Sequence, residues 1–135
     1  MMALGLALAP AANAAFTGAT GASTSFATAT VTSPSSSTVS ATGLCSRVKG
    51  ALTLTLTVSA TGPLPYANFL RVAVTSGTTT TKEQAVADTG QYAVTAPQGS
   101  NSVTVTYEIR GVYRPGASPT TAWLSSSAMT GTASC

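Results

Sequence analysis

The acids of this 135-residue chain are Glu83, Asp88 and Glu108, its cations are Arg47, Lys49, Arg71, Lys82, Arg110 and Arg114, and it contains no histidine. That short inventory limits the chemistry. A Ser–His–Asp hydrolase needs an imidazole to take the serine proton, and a nucleophile elbow needs a Gly-x-Ser-x-Gly run; neither is present. Paired carboxylates for glycoside hydrolysis would have to come from Glu83, Asp88 and Glu108. Glu108 lies in an alternating stretch that turns it outward to solvent, and Glu83 and Asp88 flank a predicted loop, where acids serve as turn residues. Zinc and phosphate-loop motifs are absent as well. The expectation is a protein without catalytic residues, cofactor or metal.

Binding chemistry is better represented. Aromatic faces stack on the apolar faces of sugars, and the candidates are Tyr66, Tyr92, Tyr113 and Trp123. Trp123 and Tyr107 are expected in a core, where large aromatics of small β domains are spent. Tyr66 and Tyr113 fall near turns, the second directly before Arg114, and these three form the candidate ligand patch. The six cations are scattered rather than run together. They make no basic stripe, and no stacking platform accompanies them, so nucleic acid is not an expected partner.

The elements that must carry these residues are strands. Charged residues make up 7% of the chain and hydrophobic ones 44%, which excludes charge-driven disorder. The remainder is largely Thr, Ser, Ala and Gly. Such a mixture suits short strands whose wet faces carry hydroxyls. In Ala51 to Ala60, Leu52, Leu54, Leu56 and Val58 alternate with Thr53, Thr55, Thr57 and Ser59, a period of two that no amphipathic helix can show. Gly62-Pro63-Leu64-Pro65 then turns the chain. Asn68 to Thr75 puts Leu70, Val72 and Val74 on one face before Gly77 and a threonine run close it. A weaker segment covers Gln91 to Ala96. Ser102 to Tyr113 turns Val103, Val105, Tyr107 and Ile109 inward, and Trp123 to Ser134 supplies a last strand after Arg114-Pro115-Gly116. Ser25 to Thr32 and Thr38 to Thr42 precede them all. About seven short strands separated by Gly/Pro turns predict an all-β sandwich, with Leu52, Leu54, Leu56, Val58, Leu70, Val72, Val105, Tyr107, Ile109 and Trp123 in its core.

Met1 to Ala14, MMALGLALAPAANA, reads as the apolar region of a signal peptide ending in an Ala-x-Ala cleavage site. No basic residue precedes it, which points to a start upstream of Met1. The run is shorter than the roughly 20 apolar residues of a membrane span. Export then assigns 1–14 to the signal, 15–36 to a leader with one strand-capable segment, and 37–135 to the sandwich. Cys45 and Cys135 are an even pair in a chain of exported character, so a disulfide is expected over two buried thiols or a metal site. Closing a loop of about 90 residues, it would contribute roughly 4 kcal/mol in the chain-entropy model.

Thr104 to Tyr113, TVTYEIRGVY, resembles the F strand of fibronectin type III domains, with Tyr107, Ile109 and Gly111 in the tyrosine, apolar and small positions. Leu52 to Gly77 resembles strands B and C of the same fold, with Ser59-Ala60 where a strand-B tryptophan is common. Trp123-Leu124 resembles the entry to strand G. The resemblance implies an immunoglobulin-like, fibronectin type III-like β-sandwich. It would bring Cys45 near the end of strand G, where Cys135 lies, and gather Tyr66, Tyr113 and Arg114 at one end. A second resemblance covers Ala15-Phe16-Thr17, Ser25-Phe26-Ala27 and Thr30-Val31, which look like the start of mature proteins with SipW-dependent signal peptides, the TasA/camelysin fibre proteins among them. Ala29-Thr30-Val31 departs from that pattern at its end, and the HExxH spacing of a metallopeptidase is missing. This implies a Gram-positive extracellular protein of the envelope or matrix.

The function these observations predict is a non-catalytic secreted surface or extracellular-matrix module, structural or adhesive. Its expected partner is a cell-wall or matrix polymer, or another surface protein, a further copy of itself included, with no membrane contact after signal cleavage. The alternatives are a carbohydrate-binding accessory domain and a fibre subunit that donates its Phe26 to Val31 segment to a neighbour's open sheet edge.

Overall fold

The computed structural model describes residues 13–15, 28–117 and 120–135. Most of the predicted signal peptide and of the leader lies outside them. Ten strands follow in chain order: β1 (Asn13–Ala15), β2 (Thr28–Thr30), β3 (Val39–Val48), β4 (Ala51–Ala60), β5 (Phe69–Ser76), β6 (Thr78–Ala85), β7 (Thr89–Thr95), β8 (Thr104–Tyr113), β9 (Trp123–Leu124) and β10 (Met129–Ser134). One sheet has the order β3-β4-β7, the other β10-β8-β5-β6 with β9 on the end of β8, and all pairs are antiparallel. The two sheets pack face to face as an all-β, immunoglobulin-like, fibronectin type III-like sandwich.

Alternation builds the core. Leu52, Leu54, Leu56 and Val58 of β4 face Leu70, Val72 and Val74 of β5 and Val105 and Ile109 of β8, all buried. Tyr107 is partly buried against this cluster. Trp123 is only half-buried and lies outside it, because β9 is two residues long and sits at the end of the sheet.

Two local readings change. The threonine run after Gly77 is a strand, not a closing loop: Gly77 has φ +77° and reverses the chain, so that Thr78–Ala85 pairs residue for residue with β5. Nothing in its period announces it, since both faces are polar. The last predicted strand is broken into β9 and β10 by Ser125–Ala128, and buried Ser125 occupies the break. Its Oγ accepts from the Gly111 N–H at 3.0 Å and donates to the Ser127 carbonyl at 2.8 Å.

Val31 and Thr32, just before β3, pack against the sandwich of their own chain. Val31 is fully buried, and Thr32 bonds the Pro65 carbonyl through both its N–H and its hydroxyl; β2 pairs with β1, whose Asn13 and Ala14 fall within the predicted signal peptide. Gly111 makes room for Val31 and Thr32. A Cβ there would run into the Thr32 carbonyl oxygen and touch Val31. Cys45 and Cys135 form a disulfide across the sandwich, Cα atoms 5.9 Å apart. It joins β3, in which Cys45 sits mid-strand, to the residue after β10.

Candidate functional site

The predicted patch lies at the end of the sandwich where β5 starts and β8 finishes. Asn68 organises it. Its Nδ2 donates to the Arg114 carbonyl at 2.7 Å, its Oδ1 accepts from the Arg114 N–H at 2.8 Å, and its own N–H bonds the Val112 carbonyl. This clamp holds the loop of Tyr66 beside the Tyr113–Arg114 strand end. Tyr66 is 56% exposed and has φ +61°, a left-handed conformation rare for a bulky residue. Tyr113 stacks on its cross-strand partner Trp123, ring centroids 5.7 Å apart and planes 23° from parallel. The pair forms a half-buried aromatic surface next to the exposed Tyr66 loop. Tyr92, also an aromatic candidate, is in the core. Its hydroxyl donates to Gln84 Oε1 at 2.5 Å, and Gln84 Nε2 reaches back to the Val58 carbonyl at 3.1 Å, a polar tie between the sheets. Burial pushes the Tyr92 phenol up from its ordinary pKa.

Arg114 is not a free cation. Its Nε and Nη2 meet Glu83 Oε1 and Oε2 at 2.8 and 2.9 Å, and Arg71 Nη2 meets Oε2 at 2.7 Å. β6 supplies Glu83, β5 supplies Arg71, and both lie on the outer face of their sheet because Leu70 and Val72 take the inner one. The Arg114 hydrogen bonds, aided by Arg71, hold the Glu83 carboxyl below the usual glutamate range, and desolvation opposes them. Glu83 in turn raises the Arg114 guanidinium. Glu108 bonds Arg110 at 2.9 Å, and Arg110 also caps the Ser125 carbonyl at 3.1 Å.

Both glutamates are thus committed to arginines, a poor arrangement for proton transfer. Among the described residues, no three His, Cys, Asp or Glu side chains cluster as metal ligands, and no helix is long and apolar enough to cross a membrane. The arginine-clamping role of Glu83 is not visible in the sequence, where it flanks a predicted loop, nor is that of Asn68, because nothing links it to a residue 46 positions away.

The outer faces away from this end are hydroxyl surfaces. Thr132, Thr106, Thr75 and Thr79 stand in register across β10, β8, β5 and β6, and Thr75 and Thr79 are bonded at 2.7 Å. With Thr130 and Glu108 they line a shallow concavity of about 500 Å³. Compared with known protein families, with curated proteins and with solved structures, the chain matches none.

Proposed function

We propose that this chain is a non-catalytic, secreted module of a cell surface or extracellular matrix, structural or adhesive, that engages a wall or matrix polymer or another surface protein. The observation that carries the reading is the commitment of the charged groups at the patch to one another, Glu83 holding both Arg71 and Arg114, while the surrounding sheet faces offer hydroxyls. Such a surface serves contact rather than turnover. The disulfide and the Ala12-Asn13-Ala14 cleavage pattern support an oxidising, extracellular setting. Expressed from its full gene in a Gram-positive host, the protein should be found oxidised in the wall and medium fractions with its first residues removed. Accumulation of reduced, unprocessed protein inside the cell would oppose the reading.

A second reading, a carbohydrate-binding accessory domain, is favoured by the Tyr113–Trp123 stack beside exposed Tyr66. Its test is retention on an insoluble polysaccharide, lost in Tyr66→Ala and Tyr113→Ala. Retention unchanged in both would remove that patch from consideration. A fibre built by donating Phe26 to Val31 is a third. It would require Val31 to leave the buried site it fills in its own chain.

A further inference from the structure

β3 is a ten-residue strand that, among the described residues, is paired on one side only, to β4. Which of its backbone groups are free follows from the ladder. The Thr61 N–H bonds the Thr38 carbonyl, and at the other end Val48 and Ala51 close a two-residue turn with Lys49 and Gly50 both at positive φ. Hydrogen-bonded pairs alternate with non-bonded ones along an antiparallel ladder. Even-numbered residues of β3 therefore bond β4, and the N–H and C=O groups of Ala41, Gly43, Cys45 and Arg47 point away from it.

The opposite side of the sandwich is guarded. There β6 turns Lys82 to its inward face, across from core Val72, and is tied to β7 through Gln84 and Tyr92. β3 turns one charge, Arg47, inward across from Leu52 and is joined at Cys45 to Cys135, but it has no proline, and among the described residues no strand pairs with its outer edge. Its outer face carries Leu44 and Val48, the two most exposed large aliphatics among the described residues at 71% and 57%.

We propose that β3 pairs antiparallel with β3 of a second copy of this chain, about a two-fold axis through Leu44, joining two three-stranded sheets into one of six. The register is self-complementary. Gly43 bonds Cys45 of the second copy, Ala41 bonds Arg47, and Thr42 faces Ser46, so free groups meet free groups. The two Leu44 side chains meet at the closely spaced, non-bonded position on the axis, with Cα atoms about 4.5 Å apart. Arg47, the strand's one charge, comes opposite an alanine, so no like charges oppose each other across the seam. The outer faces of β3 and β4 hold only Ser, Thr, Ala, Leu and Val, so nothing repels the second copy there. The inference does not depend on the polymer-binding reading above.

Sedimentation equilibrium of the oxidised full chain from micromolar to millimolar concentration tests it, with Leu44→Lys and Ala41→Pro alongside. Proline is tolerated at Ala41, whose N–H faces the open edge rather than β4. The wild type should reach a dimer, and both variants should weaken it by about tenfold or more, the first by opposing two like charges on the axis and the second by removing a pairing group. Should Ala41→Pro fail to fold, Leu44→Lys alone decides, because its side chain is already in solvent. A wild type that stays monomeric at millimolar concentration, or a dimer unaffected by Leu44→Lys, overturns the proposal.

Discussion

Glu83 accepts hydrogen bonds from both Arg71 and Arg114, and its role can be read through pH. The arginines lower its folded pKa, so the folded state holds its proton less tightly than the unfolded chain does. By linkage, the stabilisation is present above the unfolded glutamate value, about 4.3, and is lost as pH falls from there through the folded value. Glu83→Gln should therefore cost stability at neutral pH and little at low pH, where the carboxylate is already protonated. Urea midpoints of wild type and variant should converge on acidification; a constant gap would mean that the residue acts through packing. Tyr92 works in the opposite sense. Its raised pKa makes its contribution complete below the ordinary tyrosine range, about 10, and lost as pH rises through the folded value. Tyr92→Phe removes the hydroxyl that Gln84 accepts from, and with it a buried bond worth about 1 kcal/mol. Thermal unfolding at neutral pH would show that loss as a lowered midpoint.

The meeting of β2, Val31 and Gly111 is the element on which the N-terminal part of the sandwich depends. Val31→Ala should destabilise by about 2 kcal/mol, the worth of a fully buried valine. Gly111→Ala should cost about 1–3 kcal/mol, because the added methyl meets the backbone of Thr32 and not a side chain that could swing away. Chemical denaturation of both variants checks this, and a wild-type midpoint for Gly111→Ala would show that the segment is loosely held. Strands β4, β5 and β8 are plain in the sequence because each buries one face and wets the other, so the period of two survives in residue type. β6 was hidden because TTTTKEQA is polar on both faces, its inward side lying at the open edge of the sandwich. The patch was legible in part. Proximity to turns singled out Tyr66, Tyr113 and Arg114, whereas the pairing of Arg114 with Glu83 and the clamp of Asn68 depend on contacts between distant strands that no spacing encodes.

Taken whole, the molecule is a sandwich closed by one long covalent loop. The sequence separation of 90 gives the Cys45–Cys135 bridge about 4 kcal/mol of stabilisation through the unfolded state. Cys45 is exposed, so reductant should reach it and lower the urea midpoint accordingly; an unchanged midpoint would mean the two sheets hold without it. Arg71 and Arg114 share Glu83, Arg110 pairs with Glu108, and hydroxyls dominate the rest of the outer sheet faces, so the adhesion proposed above should not be chiefly electrostatic. Exposed charges lose their attraction once salt shortens the Debye length to a few ångströms, whereas hydroxyl and aromatic contacts persist. Co-sedimentation of the oxidised protein with insoluble wall and matrix material, at low and at molar salt, tests this most directly. Saturable binding that survives molar salt is the result expected of a non-catalytic adhesive module. Protein left in the supernatant at every concentration, or binding abolished by salt, would contradict it.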